Sequence, residues 1–197
     1  MNQRTIAQPV SLRGVGLHTG KHVSVTFKPA VAGEGLRFVR IDLGGKMVRV
    51  APETTVMDPA VTRCTAVEEA GVRVYTIEHL LAAVAGLGID NLTVAINGEE
   101  VPGLDGSSRE FVEALKRAGI VEQNVPKEFV EIDAPITVST GHSSVTITPA
   151  KDFQVAYTLD YDHPALRSQL FASAVTQDAF ERDIAPARTF AWKAKWP

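Results

Sequence analysis

Glu78 and His79 stand side by side in the stretch TIEHLLAAVAG, near the start of what the pattern predicts as a buried helix. Two ionisable groups in so apolar a run have two explanations. A carboxylate in the first turn of a helix meets the positive end of the helix dipole, so the pair can be an ordinary helix start. Alternatively, the histidine binds a metal and the carboxylate serves as base for a metal-bound water. The spacing is not H-E-x-x-H, in which two histidines at i and i+4 share one metal. Adjacent helical side chains point about 100° apart. A catalytic zinc needs about three protein ligands and an open position, so further ligands would have to come from elsewhere.

Three other stretches could join them. GVGLHTG, residues 14–20, is not G-x-G-x-x-G and no helix follows it, which argues against a nucleotide loop. It reads as a tight hairpin with His18 and Thr19 at a tip that could face a ligand. VPGLDGSS, residues 101–108, mixes Pro, Gly and Asp as turns do, so Asp105 is either a turn former or a site residue. PARTF, residues 186–190, offers a cation, a hydroxyl and an aromatic ring, and alone says little. Cys64 in VTRCTAV reads as a small packing residue, because no base lies near it in sequence. His22, His142 and His163 fall in turns or at strand edges and receive no role.

Composition narrows the class. The 197 residues carry 20 Lys and Arg against 23 Asp and Glu, a net charge of -3. The cations are scattered, so there is no basic footprint for nucleic acid. One cysteine excludes an internal disulfide and fits a reducing compartment. No apolar run approaches the roughly 18 residues of a spanning helix. MNQRTIAQPV has no apolar core of a signal peptide. The expectation is a soluble cytoplasmic protein with no transmembrane segment, in which Asn91-Leu92-Thr93 is a chance sequon.

The elements that must position these residues follow from periodicity. Residues 23–27, 36–41, 47–50 and 92–96 read as strands, with Val23, Val25 and Phe27 on one face. From about Thr76, Ile77, Leu80, Leu81 and Val84 share one helical face, and Gly86 and Gly88 stop the helix. Ser107 and Glu110 have the spacing of a capping box for a helix through Phe111, Leu115 and Ala118 to Gly119. NVPKE, residues 124–128, reads as a linker. Beyond it the pattern restarts: PITVSTGHSSVTITPA echoes PVSLRGVGLHTGKHVSVTFKPA, pairing Ser24 with Ser144, Val25 with Val145, Thr26 with Thr146 and Pro29 with Pro149. TQDAFERDI then predicts a short helix. The expected fold is α+β, with two similar sheet-plus-helix domains from an internal duplication. They would cover residues 1–125 and 126–197, the second incomplete and lacking its C-terminal helices. Val145, Ile147, Val155 and Tyr157 would then be left partly uncovered, and self-association would follow.

In order, GVGLHTG, TIEHLLAAVAGLGIDN, VPGLDGSS and PARTF resemble the UDP-3-O-acyl-N-acetylglucosamine deacetylase family, the zinc hydrolases of the committed step in lipid A biosynthesis. The resemblance runs from about Gln3 to Phe190. It implies two similar α+β domains packed around the site, zinc as cofactor, and UDP-3-O-acyl-N-acetylglucosamine as substrate. It implies His79 as a zinc ligand, Glu78 as general base and Thr189 as a donor to the oxyanion. Phe190 would lie near the sugar, and His18 and Asp105 would border the substrate. The family's remaining ligands, in an H-K-x-x-D segment after A-R-T-F, have no counterpart in AWKAKWP.

Three readings therefore stand. The chain is a deacetylase truncated at its C-terminus, with AWKAKWP a foreign or frame-shifted tail. Or it is a non-catalytic homologue that binds a sugar nucleotide or a protein. Or it is a structural half completed by another chain.

Overall fold

Strands dominate because β-branched and aromatic residues alternate with polar ones along most of the first 100 residues. The structure, a computed structural model, describes residues 1–58, 61–141, 143–161 and 168–189. His142, His163, Phe190 and the tail AWKAKWP lie outside the described residues.

In chain order come β1 (Asn2–Ile6), β2 (Val10–Val15), β3 (His22–Pro29), β4 (Leu36–Arg40) and β5 (Lys46–Arg49). Then β6 (Thr55–Asp58), β7 (Val61–Glu69) and β8 (Val72–Tyr75) lead to helix α1 (Glu78–Gly86). Strand β9 (Leu92–Ile96), helix α2 (Arg109–Arg117) and β10 (Ile120–Pro126) follow. The fold is mixed α+β, as expected.

Two hairpins, β2–β3 and β4–β5, are joined by β9 into one sheet of order β2-β3-β9-β4-β5. β9 runs antiparallel to β3 and parallel to β4. The faces match the sequence reading: Val23, Val25 and Phe27 are buried, as are Phe38, Leu92, Val94 and Ile96. Arg40 ends the inward face of β4. Its guanidinium grips both oxygens of Asp42, at 2.9 and 2.7 Å, and reaches the Arg73 carbonyl at 2.8 Å, so the buried cation is paired.

α1 and α2 cover this sheet. Helix α1 is EHLLAAVAG, rich in strong helix formers. It buries Leu80, Ala83 and Val84, with Ile77 just ahead of it. α2 buries Phe111, Val112, Ala114 and Leu115, and the Phe111 ring meets Phe27 edge-on at 6.3 Å. A second sheet of order β6-β7-β8 leads into α1. β1 pairs antiparallel with β10. β10 takes in Asn124 to Pro126, so the expected linker begins inside a strand that the N-terminal residues hold. Only half of the expected capping box forms: the Ser107 hydroxyl accepts the Arg109 N–H at 3.2 Å at the head of α2, while among the described residues no Glu110 side-chain bond returns to Ser107.

Past residue 126 the chain forms hairpin β11 (Ile136–Thr140) with β12 (Ser143–Ile147), then hairpin β13 (Gln154–Leu159) with β14 (Gln169–Ala174). The echo with the first unit reaches side-chain detail. Ser11 and Thr26 exchange a hydroxyl–hydroxyl hydrogen bond across β2–β3 at 2.8 Å. Thr137 and Thr146, the latter aligned with Thr26, do the same across β11–β12 at 2.9 Å. Here the likeness stops. No strand among the described residues joins the two later hairpins as β9 joins the earlier pair. Val25 is buried, whereas Val145 is 68% exposed.

A short helical segment closes the description: α3 (Gln177–Ala179), capped by the Thr176 side chain, runs on into a π turn, Phe180–Ile184. It docks on the first unit. The Phe180 ring lies against Gly86 of α1, where a Cβ would come within 2.2 Å of the ring. Gly86 is the last residue of α1, and its lack of a side chain admits Phe180. Phe180 and Ala185 join the core built by residues 6–118. No helix among the described residues is long and apolar enough to cross a membrane.

Candidate active site

The entrance of α1 is riveted to β7 through one residue. Thr65 donates its backbone N–H to Glu78 Oε2 at 2.9 Å and accepts from Ile77 N–H at 3.3 Å. One carboxylate oxygen of Glu78 is thus fixed, and Oε1 accepts no hydrogen bond among the described residues. Glu78 and His79 are both half-buried, at the rim of the core rather than within it. Cys64, next to Thr65, is half-buried.

Just ahead of Glu78, Thr76 is buried and adopts φ +56°. A β-branched residue there is strained, at about 1–2 kcal/mol. Its hydroxyl donates to Glu100 Oε1 at 2.9 Å. Glu100 is itself 2% exposed and also holds the GVGLHTG tip. His18 N–H donates to Oε1 at 2.8 Å, while Thr19 N–H and hydroxyl donate to Oε2 at 2.8 and 2.7 Å. Burial raises the Glu100 pKa, but the bonds from His18, Thr19 and Thr76 outweigh it and hold the group below its ordinary value.

From Glu100 the chain runs through the VPGLDGSS loop. Asp105 Oδ1 accepts the Ser107 N–H at 3.0 Å and the Ser107 hydroxyl at 2.6 Å, and Oδ2 pairs with Arg109 at 2.9 Å. The Ser107 hydrogen bonds, with help from the charges of Arg109 and Arg188, keep the Asp105 carboxyl below the usual range despite partial burial. This is the geometry of a turn former. At the next residue, the Gly106 carbonyl accepts the Thr189 N–H at 2.9 Å, and the Thr189 methyl approaches Gly106. Ser108 N–H donates to the Ala185 carbonyl at 3.0 Å.

Segment 99–108 therefore connects four of the six candidates. It carries Asp105, anchors the backbones of His18 and Thr189, and braces the chain two residues before Glu78. His79 follows Glu78 on α1. Phe190 lies outside the described residues. Sequence reasoning missed Glu100 and Thr65. Glu100 sits in NGEEVPG, which looks like a polar turn, and only the converging donors reveal it. Among the described residues no three His, Cys, Asp or Glu side chains cluster as a metal site would require.

An acid and a histidine at a helix entrance, beside loops rich in donors, suit a hydrolase, and the comparisons place the chain among the deacetylases. It belongs to the UDP-3-O-acyl N-acetylglycosamine deacetylase family, whose sequence profile matches residues 3–196. That match takes in most of the tail, beyond the Phe190 at which the motif resemblance ends. Curated relatives named UDP-3-O-acyl-N-acetylglucosamine deacetylase include those of Myxococcus xanthus, 42% identical over 189 residues, and Anaeromyxobacter sp., 41% identical over 192. That of Saccharophagus degradans is 42% identical over 192 residues. These alignments cover 96, 98 and 96% of this chain but 60, 62 and 63% of the relatives. The chain thus spans about three fifths of their length.

Proposed function

We propose that the protein hydrolyses the N-acetyl group of UDP-3-O-acyl-N-acetylglucosamine, the committed step of lipid A biosynthesis, in the cytoplasm. This chain supplies part of the site. Residues 1–125 and 126–197 are read as two domains of one duplicated plan.

The observation that carries the reading is Glu78. One oxygen is held by Thr65 and the other is left to accept a proton, at the entrance of α1 beside His79. Glu78 takes a proton from water as the water oxygen bonds to the acetyl carbon. The Thr189 hydroxyl donates to the carbonyl oxygen as it gains negative charge. The C–N bond then breaks, acetate leaves, and the sugar amine takes up a proton from an acid that this chain does not assign. Asp105 has both oxygens engaged, so its part is to hold the loop. His18 borders the substrate from the opposite loop, and Phe190 is assigned to the sugar.

Zinc is the metal we assign, with His79 as one ligand. A single histidine does not fit a complete zinc site, since about three protein ligands are needed.

The lack of a three-donor cluster among the described residues favours a second reading. In it the chain is a non-catalytic homologue that binds a sugar nucleotide or a protein. Metal analysis of the stripped and zinc-reloaded chain, beside His79→Ala, separates the two when combined with acetate release. Substoichiometric zinc that falls further in His79→Ala supports an incomplete deacetylase site. UDP-sugar binding that ignores both zinc and the substitution supports the second reading and sinks the first.

A further inference from the structure

We propose that Glu100 is a positioning residue, a buried carboxylate strut that sets the GVGLHTG tip and the entrance of α1 in one fixed relation. The inference rests on the reading that Glu78 and His79 carry the chemistry. The argument is one of donor count. Every partner of Glu100 is a donor: His18 N–H and Thr76 hydroxyl on Oε1, Thr19 N–H and hydroxyl on Oε2. The hydroxyls could rotate to other acceptors, but the two amides cannot. Each carboxylate oxygen holds one of those amides. A glutamine side chain has one acceptor oxygen, so either amide orientation leaves His18 or Thr19 N–H facing an NH2 group. Only a carboxylate satisfies this site.

Two further observations belong to the same strut. Gly16 packs so closely that a Cβ would fall 2.3 Å from Glu100 Oε2 and 2.4 Å from the Thr19 hydroxyl. Thr76 keeps its left-handed φ although it is not glycine, and its hydroxyl bond to Glu100 is what that conformation aims. The backbone repeats the connection. Tyr75 N–H donates to the Glu99 carbonyl at 2.8 Å, and Val101 N–H donates to the Tyr75 carbonyl at 3.1 Å. The loop that bears His18 and the turn that delivers Glu78 thus meet on one side chain.

The test uses the 197-residue chain and needs no turnover. Amide NMR shifts and hydrogen exchange are recorded for wild type, Glu100→Gln, Gly16→Ala, Thr76→Val and Thr76→Ser. In Glu100→Gln, exchange at the His18 or Thr19 amide should rise at least tenfold, and the Glu78 and His79 amides should shift with it. Gly16→Ala, which displaces the same carboxylate sterically, should give the same pattern. Thr76→Val should move Glu78 and His79 while leaving most protection at Thr19, and Thr76→Ser should restore wild-type shifts. Probes in β4 and β5 should stay still throughout. Changes confined to residues 18 and 19, with Glu78 and His79 unmoved in both Glu100→Gln and Thr76→Val, would overturn the proposal. If Glu100→Gln does not fold, Thr76→Val decides, because it leaves three of the four bonds in place. UDP-sugar binding that ignores both zinc and His79→Ala would count against the deacetylase reading without touching these signals.

Discussion

Glu78 has one oxygen tied to a backbone N–H and one that accepts no hydrogen bond among the described residues, so its charge and its position can be separated by substitution. Glu78→Gln keeps the size and can still accept from Thr65. In any preparation that releases acetate, it should lower that release by about 10²-fold or more with an unchanged melting curve. Equal loss of activity and stability would show that the residue is structural. Glu100 makes a pH prediction at the same scale. Its folded pKa lies below the ordinary value of 4.5, so its contribution to stability is complete above that pH. That contribution is lost as pH falls through the folded value. Protection of the His18 and Thr19 amides, taken relative to the intrinsic exchange rate at each pH, should fall in acid, below about pH 4.5, and Glu100→Gln should abolish the step. The motifs made Glu78, His79 and Asp105 visible in the sequence. Glu100 was not, because a buried carboxylate is recognised by its donors, and these come from residues 18, 19 and 76.

The last helical segment depends on a single ring. Phe180 is 3% exposed and seats against Gly86, with Lys116 and Glu181 forming an ion pair beside it. Phe180→Ala should cost about 3 kcal/mol. Gly86→Ala should cost about 1–3 kcal/mol, since its Cβ would overlap the ring. Denaturant melts give the sizes, and limited proteolysis between residues 174 and 189 reports the undocking. Undiminished protection in both variants would mean that the backbone bonds from Ser108 and Thr189 hold the segment unaided. At this scale α1 was legible because Ile77, Leu80 and Val84 recur at helical spacing. β1 was not: NQRTI has little pattern of its own, and it becomes a strand by pairing with β10 more than 110 residues away. Val72 and Val74 in β8 do alternate with polar neighbours and are buried, a strand signal present in the sequence.

Across the whole chain, apolar cover is uneven. Ile136, Val138, Val145 and Ile147 share one face of hairpin β11–β12, by their register, and are 51 to 68% exposed. The opposite face, Thr137, Ser139, Ser144 and Thr146, is entirely hydroxylic. Such a face favours association. Sedimentation of the chain should show mass rising with concentration, and Val138→Lys with Val145→Lys should reduce it. A concentration-independent monomer for wild type would refute this. The sequence foretold the uncovered face because the repeat marks which residues should be inward, and it also foretold the class of fold. It did not reveal the joining role of β9, since strand order depends on long-range pairing that no local period encodes.

That role bears on the order of events at the ribosome. Hairpins β2–β3 and β4–β5 each close over a short loop and can form as soon as they emerge. They have no common sheet until β9 enters between them, about 50 residues after β4, and β1 waits longer still for β10. During translation the first unit must therefore pass through a stage of two separate, half-apolar hairpins. Hairpins β11–β12 and β13–β14, unjoined among the described residues, display that stage. A nascent chain stalled before residue 92 should resemble them, and it should attract the chaperones that recognise alternating apolar strands.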